Sequence, residues 1–281
     1  MGWIHRKKIH KEAPQYTIES GVISDLGRRR GNNEDNYWLV DVINDDMEDH
    51  REEGNVVHPK RNEWVGYGVF DGMGGGADGE VAAHIAAEYF EYAIREKPVT
   101  NKSDAEKVAR HCFAKTNRLV VEQQHIVGGV MGTTGTVVYT NGNYFKVFHL
   151  GDSRAYLYRN GILGQITRDQ TLSELKLEAG VYLRNDREEI RDRHKLTSYI
   201  GCEEEMKVIP EESIWVRTAE DDMLLLCSDG LYDMCSDQQI EEILRHGQSI
   251  QDTLSQLIQC ALDEGGIDNV SCLLIRFSTI S

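Results

Sequence analysis

The sequence predicts one α+β domain in which sheets of largely antiparallel strands are flanked by helices. Two observations carry that prediction. Asn-Gly stands twice between alternating apolar runs, at Asn141-Gly142 and Asn160-Gly161, and no short-range hairpin signal is stronger. Strand-like runs also occur at both ends and in the middle of the chain, with helices in pairs between them. That order suits sheets covered by helices. At 281 residues the chain can bury a sizeable core.

Taken in order, residues 1–13 read as a basic, weakly ordered lead-in. Residues 16–24 and 36–42 read as strands, with a turn-rich segment between them that sets Arg28, Arg29 and Arg30 beside the adjacent acids Glu34 and Asp35. Residues 43–62 are acidic, polar and aperiodic, as a solvated loop would be. A Val- and aromatic-rich run at 64–70 reads as a buried strand ending abruptly at Asp71. Two long helices are expected near 77–97 and 103–126, the second opening on a Ser103/Glu106 capping box. Residues 132–167 form a meander: 134–140 turns through Asn141-Gly142 into 144–150, and 154–159 turns through Asn160-Gly161 into 162–167. A helix near 169–179 stops at Gly180, and residues 182–195 look like a charged, mobile surface segment. Strands follow near 213–217 and 222–228. Helices follow near 237–246 and 250–263, each ending at a glycine of the kind a C-cap prefers, Gly247 and Gly265. A strand over 269–277 closes the chain.

The centre of the chain is Trp64 to Ala77, read as strand, carboxylate, glycine loop and helix. Glycines there open conformations closed to other residues and let an ion or phosphate approach the backbone. Gly72-Met73-Gly74-Gly75-Gly76-Ala77 satisfies a dinucleotide-binding fingerprint, but two successive helices follow, where that fold needs a second parallel strand carrying an acid. Position 91 or 96, where the acid should stand, lies inside a helix. The other reading takes Asp71 and the Gly72 carbonyl as oxygen ligands for a hard divalent cation. A plain Asp-Gly turn is the third.

Composition narrows the choice. A net charge of −16 argues against nucleic acid as the main ligand and suits a protein that gathers carboxylates around metal ions. No apolar run approaches transmembrane length, and the basic N-terminus lacks the apolar stretch of a secretory signal. Arg6 stands where N-myristoylation wants Ser or Thr. The six cysteines contain no C-x-x-C pair, so reduced, buried thiols in a cytoplasmic protein are the economical reading.

The grammar of Asp71-Gly72 recurs. Residues 224–230 run from an apolar strand into Asp229-Gly230, Asp268 stands at the entry to the last strand, and Glu34-Asp35 precede a strand too. Acids at strand ends, drawn from distant parts of the chain, can meet at one rim of a sheet. Crowded like charges raise one another's pKa and destabilise the fold unless cations neutralise them. Carboxylates, a carbonyl and waters, without a His or Cys cluster, point to Mg²⁺ or Mn²⁺ rather than zinc. Two such ions about 3.5–4 Å apart can activate water and stabilise in-line displacement at phosphorus. A guanidinium is the natural partner for the phosphate.

Arg30-x-x-x-Glu34-Asp35, Phe70-Asp71-Gly72-Met73-Gly74-Gly75, Met131-Gly132-Thr133-Thr134, Gly151-Asp152-Ser153-Arg154, Ser228-Asp229-Gly230-Leu231-x-Asp233 and Asp268-Asn269 follow one another in family order. The series resembles that of metal-dependent Ser/Thr protein phosphatases of the 2C type (the PPM family), bacterial members in particular. It spans about residues 16–277, nearly the whole chain. Each motif is weak alone; six in order are specific.

The resemblance implies a four-layer α-β-β-α sandwich forming one catalytic domain over 14–281, with two Mn²⁺ or Mg²⁺ ions at one end. By position, Asp71 should bridge both ions with help from the Gly72 carbonyl, and Asp229 and Asp268 should complete the set. Glu34 should hold an ion through water, with Asp35, Asp233 and Asn269 behind these ligands. Arg30 is the expected phosphate clamp, and Arg28 and Arg29 are rim or solvated charges. Gly132-Thr133-Thr134 and Gly151-Asp152-Ser153-Arg154 are expected to be structural. Residues 170–200 correspond to the bacterial flap that touches substrate protein.

Two positions depart from the pattern. Position 73 is Met where animal relatives carry His, so the leaving alkoxide needs another proton source. The acid that bacterial relatives often carry shortly before Met131 is missing from Ile126-Val127-Gly128-Gly129-Val130. A third ion would then rely on Asp229 and a flap residue. His149, in an alternating strand, is expected to be packed; His194, in the flap region, could donate a proton but is read as a solvated surface residue; Cys227 is read as a buried strand residue and Met73 as loop packing. The reading is a cytoplasmic, monomeric phosphoprotein phosphatase opposing a Ser/Thr kinase, with phosphorylated proteins as substrates and neither nucleic acid nor membrane as partner. Its rival is a catalytically silent relative that binds phosphoproteins, and a nucleotide-dependent dehydrogenase stands third.

Overall fold

A computed structural model describes residues 16–39, 42–43, 63–74, 78–184, 186–203 and 208–279. The lead-in 1–13, the acidic loop apart from residue 43, and positions 75–77 of the glycine stretch lie outside the described residues. The expected layers are present: two antiparallel sheets face each other, each with helices on its outer side.

The first sheet runs in the order β1 (Tyr16–Asp25), β13 (Val270–Thr279), β12 (Met223–Cys227), β8 (Arg154–Arg159), β9 (Ile162–Gln165). The first and last strands of the described chain therefore lie side by side over their whole length, Tyr16 opposite Thr279 and Asp25 opposite Val270. The second sheet is built on β4 (Val65–Gly74), between β2 (Asp35–Leu39) and β6 (Gly135–Thr140). β7 (Tyr144–Leu150), β10 (Glu211–Glu212) and β11 (Val216–Arg217) extend it on one side, β3 (Val42–Ile43) on the other, and β5 (Met131–Thr133) pairs with the end of β4.

Period-two alternation explains the layering. On β12, Leu224 and Leu226 face the second sheet, whereas Leu225 and Cys227 face helices; on β13, Leu273, Ile275 and Phe277 oppose Cys272 and Leu274 in the same way. Both faces are apolar, which is why the strand reads as a continuous apolar run. Helices α1 (Asp78–Glu96) and α2 (Lys102–Val127) cover the second sheet. Alanines 82, 83, 86 and 87 let α1 approach Trp38 and Phe70, and Phe90 packs edge-on to Phe113 with ring centroids 5.2 Å apart. Each such fully buried aromatic contributes roughly 2–3 kcal/mol. α6 (Asp237–His246) and α7 (Ile250–Asp263) cover the first sheet.

Several expectations are corrected. β4 does not stop at Asp71: Gly72, Met73 and Gly74 pair with Thr133, Gly132 and Met131, so the strand carries Asp71 inside a ladder. In place of one strand over 36–42, β2 and β3 are two strands that pair antiparallel, with Trp38 opposite Ile43. The 213–217 strand is two short ones. The cap of α2 is Asn101, whose Oδ1 accepts from the Asp104 amide at 3.0 Å; Ser103 is already helical. Gly247 ends α6 at φ −62°, not left-handed, and is needed because a Cβ there would meet Thr253 Oγ1.

The charged segment 182–195 contains α4 (Arg187–Asp192), packed on α3 (Leu172–Glu178). Glu189 is fully buried, accepting from Ser173 Oγ at 2.9 Å and Arg193 Nη2 at 2.8 Å, and Asp192 holds Lys176 and Lys195 at 2.6 and 2.8 Å. Backbone bonds from Leu172 to Lys195 and from Thr197 to Gln170, both 2.8 Å, tie the neck of this unit. Most described residues of the segment are exposed, as expected of a surface segment, but Glu189 and Asp192 are buried and anchor it through these ion pairs.

Candidate functional site

The strand ends that carry acids converge on one cleft of about 720 Å³, lined by Glu34, Asp71, Asp152, Asp229, Asp233 and Asp268 together with Arg29, Arg30 and His194. Asp71 lies opposite Asp35 across the β2–β4 ladder. Its backbone is clamped by the Thr pair at the end of β5: Asp71 N donates to Thr134 Oγ1 at 2.9 Å, and its carbonyl accepts from Thr133 Oγ1 and Thr134 N at 3.0 and 2.9 Å. The expected structural role of Gly132-Thr133-Thr134 is met by these bonds.

Gly72 N donates to the Glu34 carbonyl at 3.1 Å, and a Cβ at position 72 would come 2.3 Å from the Gly79 carbonyl and 2.4 Å from that of Glu34. Only glycine lets the chain of Glu34, the end of β4 and the start of α1 meet here. Glu34 N in turn donates to Asn269 Oδ1 at 2.8 Å, while Asn269 Nδ2 donates to Leu26 and Asn32 carbonyls at 2.9 and 3.0 Å. Asn269 thus pins the arginine loop to the last strand. Asp229 opens the short helix α5 (Asp229–Tyr232), and a Cβ on Gly230 would fall 2.0 Å from the Asn269 carbonyl, a contact that brings Asp229 and Asp268 to one rim.

The electrostatics are unbalanced. Burial, then Asp35, Asp229, Asp152 and Asp268, push the Asp71 carboxyl well above its ordinary range. Burial raises Asp35 to about 7 although Ser228 Oγ donates to it at 2.7 Å. Asp152 is pushed up by burial and by Asp229, Asp233 to about 6 by the same two causes, and Glu34 upward by burial. Six carboxylates face two guanidiniums and one imidazole. That uncompensated oxygen-donor set fits hard divalent cations such as Mg²⁺ or Mn²⁺ and offers no thiolate to a softer metal.

The structure brings every sequence-proposed site residue to this place: Glu34, Asp71, Gly72, Asp229, Asp233 and Asp268 line the cleft, and Asp35 and Asn269 stand behind it. Arg30 is there too, with Nη2 on Asp268 Oδ2 at 2.6 Å. Met73 lines the cleft rather than a loop core. Two residues stand closer to the chemistry than the sequence reading placed them. His194 is exposed, as expected, but it has partners: Nδ1 lies 3.4 Å from Asp229 and Nε2 3.5 Å from Asp233, and Asp229 above all raises it to about 9. Asp152, read as structural, shares with His194 and Asp229 a group of ligand atoms within 4.8 Å of one another. No spacing announces His194, because the flap carries it in; Asp152 had a signal, an acid at a strand-to-strand turn beside a motif arginine. That arginine, Arg154, pairs with Asp169 at 2.6 Å and lies 3.6 Å over the Tyr232 ring.

Comparison with known proteins agrees with this geometry. A family model described as protein phosphatase 2C matches residues 55–274. The chain is 30% identical over 257 residues to the serine/threonine phosphatase stp of Listeria monocytogenes, covering 90% of this chain and 93% of the relative. It is 33% identical over 208 residues to the serine/threonine protein phosphatase PstP of Mycobacterium tuberculosis, covering 73% of this chain and 38% of that protein. Among solved structures, the serine/threonine phosphatase of S. agalactiae superposes with a TM-score of 0.78 at 25% identity, covering 92% of this chain and 98% of that one. The catalytic domain of PstP in complex with two manganese ions superposes at 0.74 and 28% identity, covering 94% and 99%.

Proposed function

The chain belongs to the protein phosphatase 2C family and is a serine/threonine protein phosphatase, and from that premise we propose how its own residues divide the work. The observation that carries the reading is the meeting of Asp71, Asp229 and Asp268, from three distant parts of the chain, in one cleft with Glu34 and Arg30. Asp71, the Gly72 carbonyl, Asp229 and Asp268 would hold two Mn²⁺ or Mg²⁺ ions, with Glu34 reaching one through water. When bound, such ions supply Lewis acidity and offset the crowded negative charge.

Arg30 positions the substrate. With Nη2 taken by Asp268, the rest of its planar fork is presented at the half-exposed rim to a phosphoryl group. Glu34, its backbone held by Asn269 and Gly72, orients water in the same cleft. Behind them, Asp35 accepts from Ser228 Oγ, next to Asp229 in the chain, and Asp233 faces His194. Hydrolysis releases a Ser or Thr alkoxide that needs a proton. With Met at position 73, His194 is the one imidazole of the cleft among the described residues, and the Asp229 carboxylate beside it favours its protonated form. The flap, α3 and α4, is the surface a phosphoprotein would meet.

Among the described residues no helix is long and apolar enough to cross a membrane. A cytoplasmic monomer opposing a Ser/Thr kinase is the setting we favour; free cysteines and the acidic charge support it. The test is phosphate release from phosphothreonine peptides with Mn²⁺, comparing the native chain with Asp229→Asn. Loss in the mutant with an intact fold by circular dichroism supports the assignment. Turnover in metal-free buffer, or an active mutant, would overturn it.

A further inference from the structure

Four of the six cysteines, Cys227, Cys235, Cys260 and Cys272, gather in the core between the first sheet and its helices. Two of them are inert. Cys227 and Cys272 are register partners on β12 and β13, both fully buried, and burial pushes the Cys227 thiol to about 12 and that of Cys272 well above its ordinary value. The other two differ. Cys235 sits in the loop between α5 and α6 at 1% exposure, Cys260 lies on α7 and reaches solvent, and their Sγ atoms are 2.8 Å apart. That is less than about 1 Å beyond a sulfur–sulfur bond of ~2.05 Å. Cys260 is the entry point and Cys235 the second thiol behind it.

We propose that Cys235 and Cys260 form a dithiol site which a peroxide converts to an intrachain disulfide, leaving the phosphatase cleft working. The exposed partner reacts first. Cys260 thiolate attacks one oxygen of hydrogen peroxide; the O–O bond breaks, that oxygen stays on sulfur as a sulfenic acid, and the other leaves as water after taking a proton. Cys235 is a poor first target, because burial and the adjoining thiol keep it protonated. Its Sγ then attacks the sulfenic sulfur, the S–S bond forms, and the sulfenic oxygen leaves as water with the Cys235 proton. Two thiols lose two electrons in all, and one peroxide gains them.

The short Sγ separation decides the consequence. Closing it moves no atom far, so Asp229 and Asp233, on α5 and at its end, keep their places. The bond closes a ring across 25 positions that holds α6 and most of α7, and it removes Cys260 from further, irreversible oxidation. The site therefore protects rather than switches off.

The experiment treats the full chain with one equivalent of hydrogen peroxide, quenches with N-ethylmaleimide and reads intact and peptide masses without reductant. A loss of two hydrogen masses, a Cys235–Cys260 cross-linked peptide and a melting temperature raised by roughly 5 °C, reversed by dithiothreitol, is expected. Phosphate release should stay within about twofold of the untreated enzyme. Cys235→Ser, with no second thiol to resolve it, should instead accumulate sulfenic acid at Cys260, and sulfinic acid once a second equivalent of peroxide is added. Alkylation of both thiols after peroxide would overturn the proposal. So would equal sulfinic acid in the native chain and in Cys235→Ser, or activity lost with the cross-link. The mass readout is independent of turnover.

Discussion

His194 Nδ1 stands 3.4 Å from the Asp229 carboxylate, so the flap reaches into the cleft through an ion pair between residues 35 positions apart (229 − 194). Asp229 raises the imidazole to about 9, and Asp233 and Asp152 add to the effect. A histidine raised above its unfolded value stabilises the flap contact fully below about 6.5, and the contribution is lost as pH rises through 9. In metal-free protein the His194 resonance should titrate near 9 by NMR. Mg²⁺ should move it downward as cation charge offsets that of Asp229. An imidazole titrating at its ordinary value without metal would mean the contact is not formed.

Removing the Asp229 charge should separate catalysis from stability. Asp229→Asn takes a ligand from the cleft, and phosphate release should fall by a factor on the order of 10² or more. The same change relieves repulsion with Asp71, Asp35, Asp152 and Asp233, each of which Asp229 raises. The metal-free mutant should therefore melt higher than the metal-free native chain in calorimetry. A lower melting temperature would show that the crowded charge costs the fold nothing.

Metal binding should offset the same repulsion in the native chain. With Mn²⁺ at about a hundredfold over its dissociation constant, the folded state gains ~2.7 kcal/mol, which is about 5 °C or more in melting temperature for a chain of this size. Chelator should reverse it. Asp229→Asn should respond much less.

Gly72→Ala tests the backbone contact beneath the site. The added Cβ would fall 2.3 and 2.4 Å from two carbonyl oxygens, those of Gly79 and Glu34, neither of which belongs to a flexible side chain. Urea unfolding should show a loss of roughly 2 kcal/mol, with activity falling as Glu34 is displaced. An unchanged midpoint would mean that β4 and α1 can part freely.

His149 gives a pH dependence outside the cleft. Its ring is buried beside Thr136 and the Arg168 carbonyl, and burial above all lowers it to about 4. The unfolded chain binds the proton more tightly, so stability is intact above about 6.5 and falls as pH drops toward 4, by roughly 3 kcal/mol in that window. His149→Gln should flatten this part of the curve, since other groups titrate alike in both proteins. Parallel curves would refute the assignment. The expectation that His149 is a packed side chain agrees with its position.

Much of the site was legible because its parts are local. An acid at the exit or entry of a strand, a glycine beside it and an apolar run are neighbours in sequence, so Asp71-Gly72, Asp229-Gly230 and Asp268-Asn269 announced themselves, as did the hairpins at the two Asn-Gly turns. The alternation on β12 and β13 likewise determined which side chains face the other sheet. What tertiary structure decided are contacts between segments far apart: Arg30 on Asp268 across 238 positions, Asn269 holding Glu34 across 235, and Cys235 against Cys260. The flap is the clearest case. Most described residues of 182–195 are exposed, as the charged sequence there implies, yet Glu189 is buried and His194 lies beside Asp229 and Asp233, because ion-pair partners are chosen by packing and not by spacing. The sequence by itself determined the ligand chemistry and the sheets. Only the folded chain determined which cations of its own stand among those acids, since charge compensation depends on distance in space.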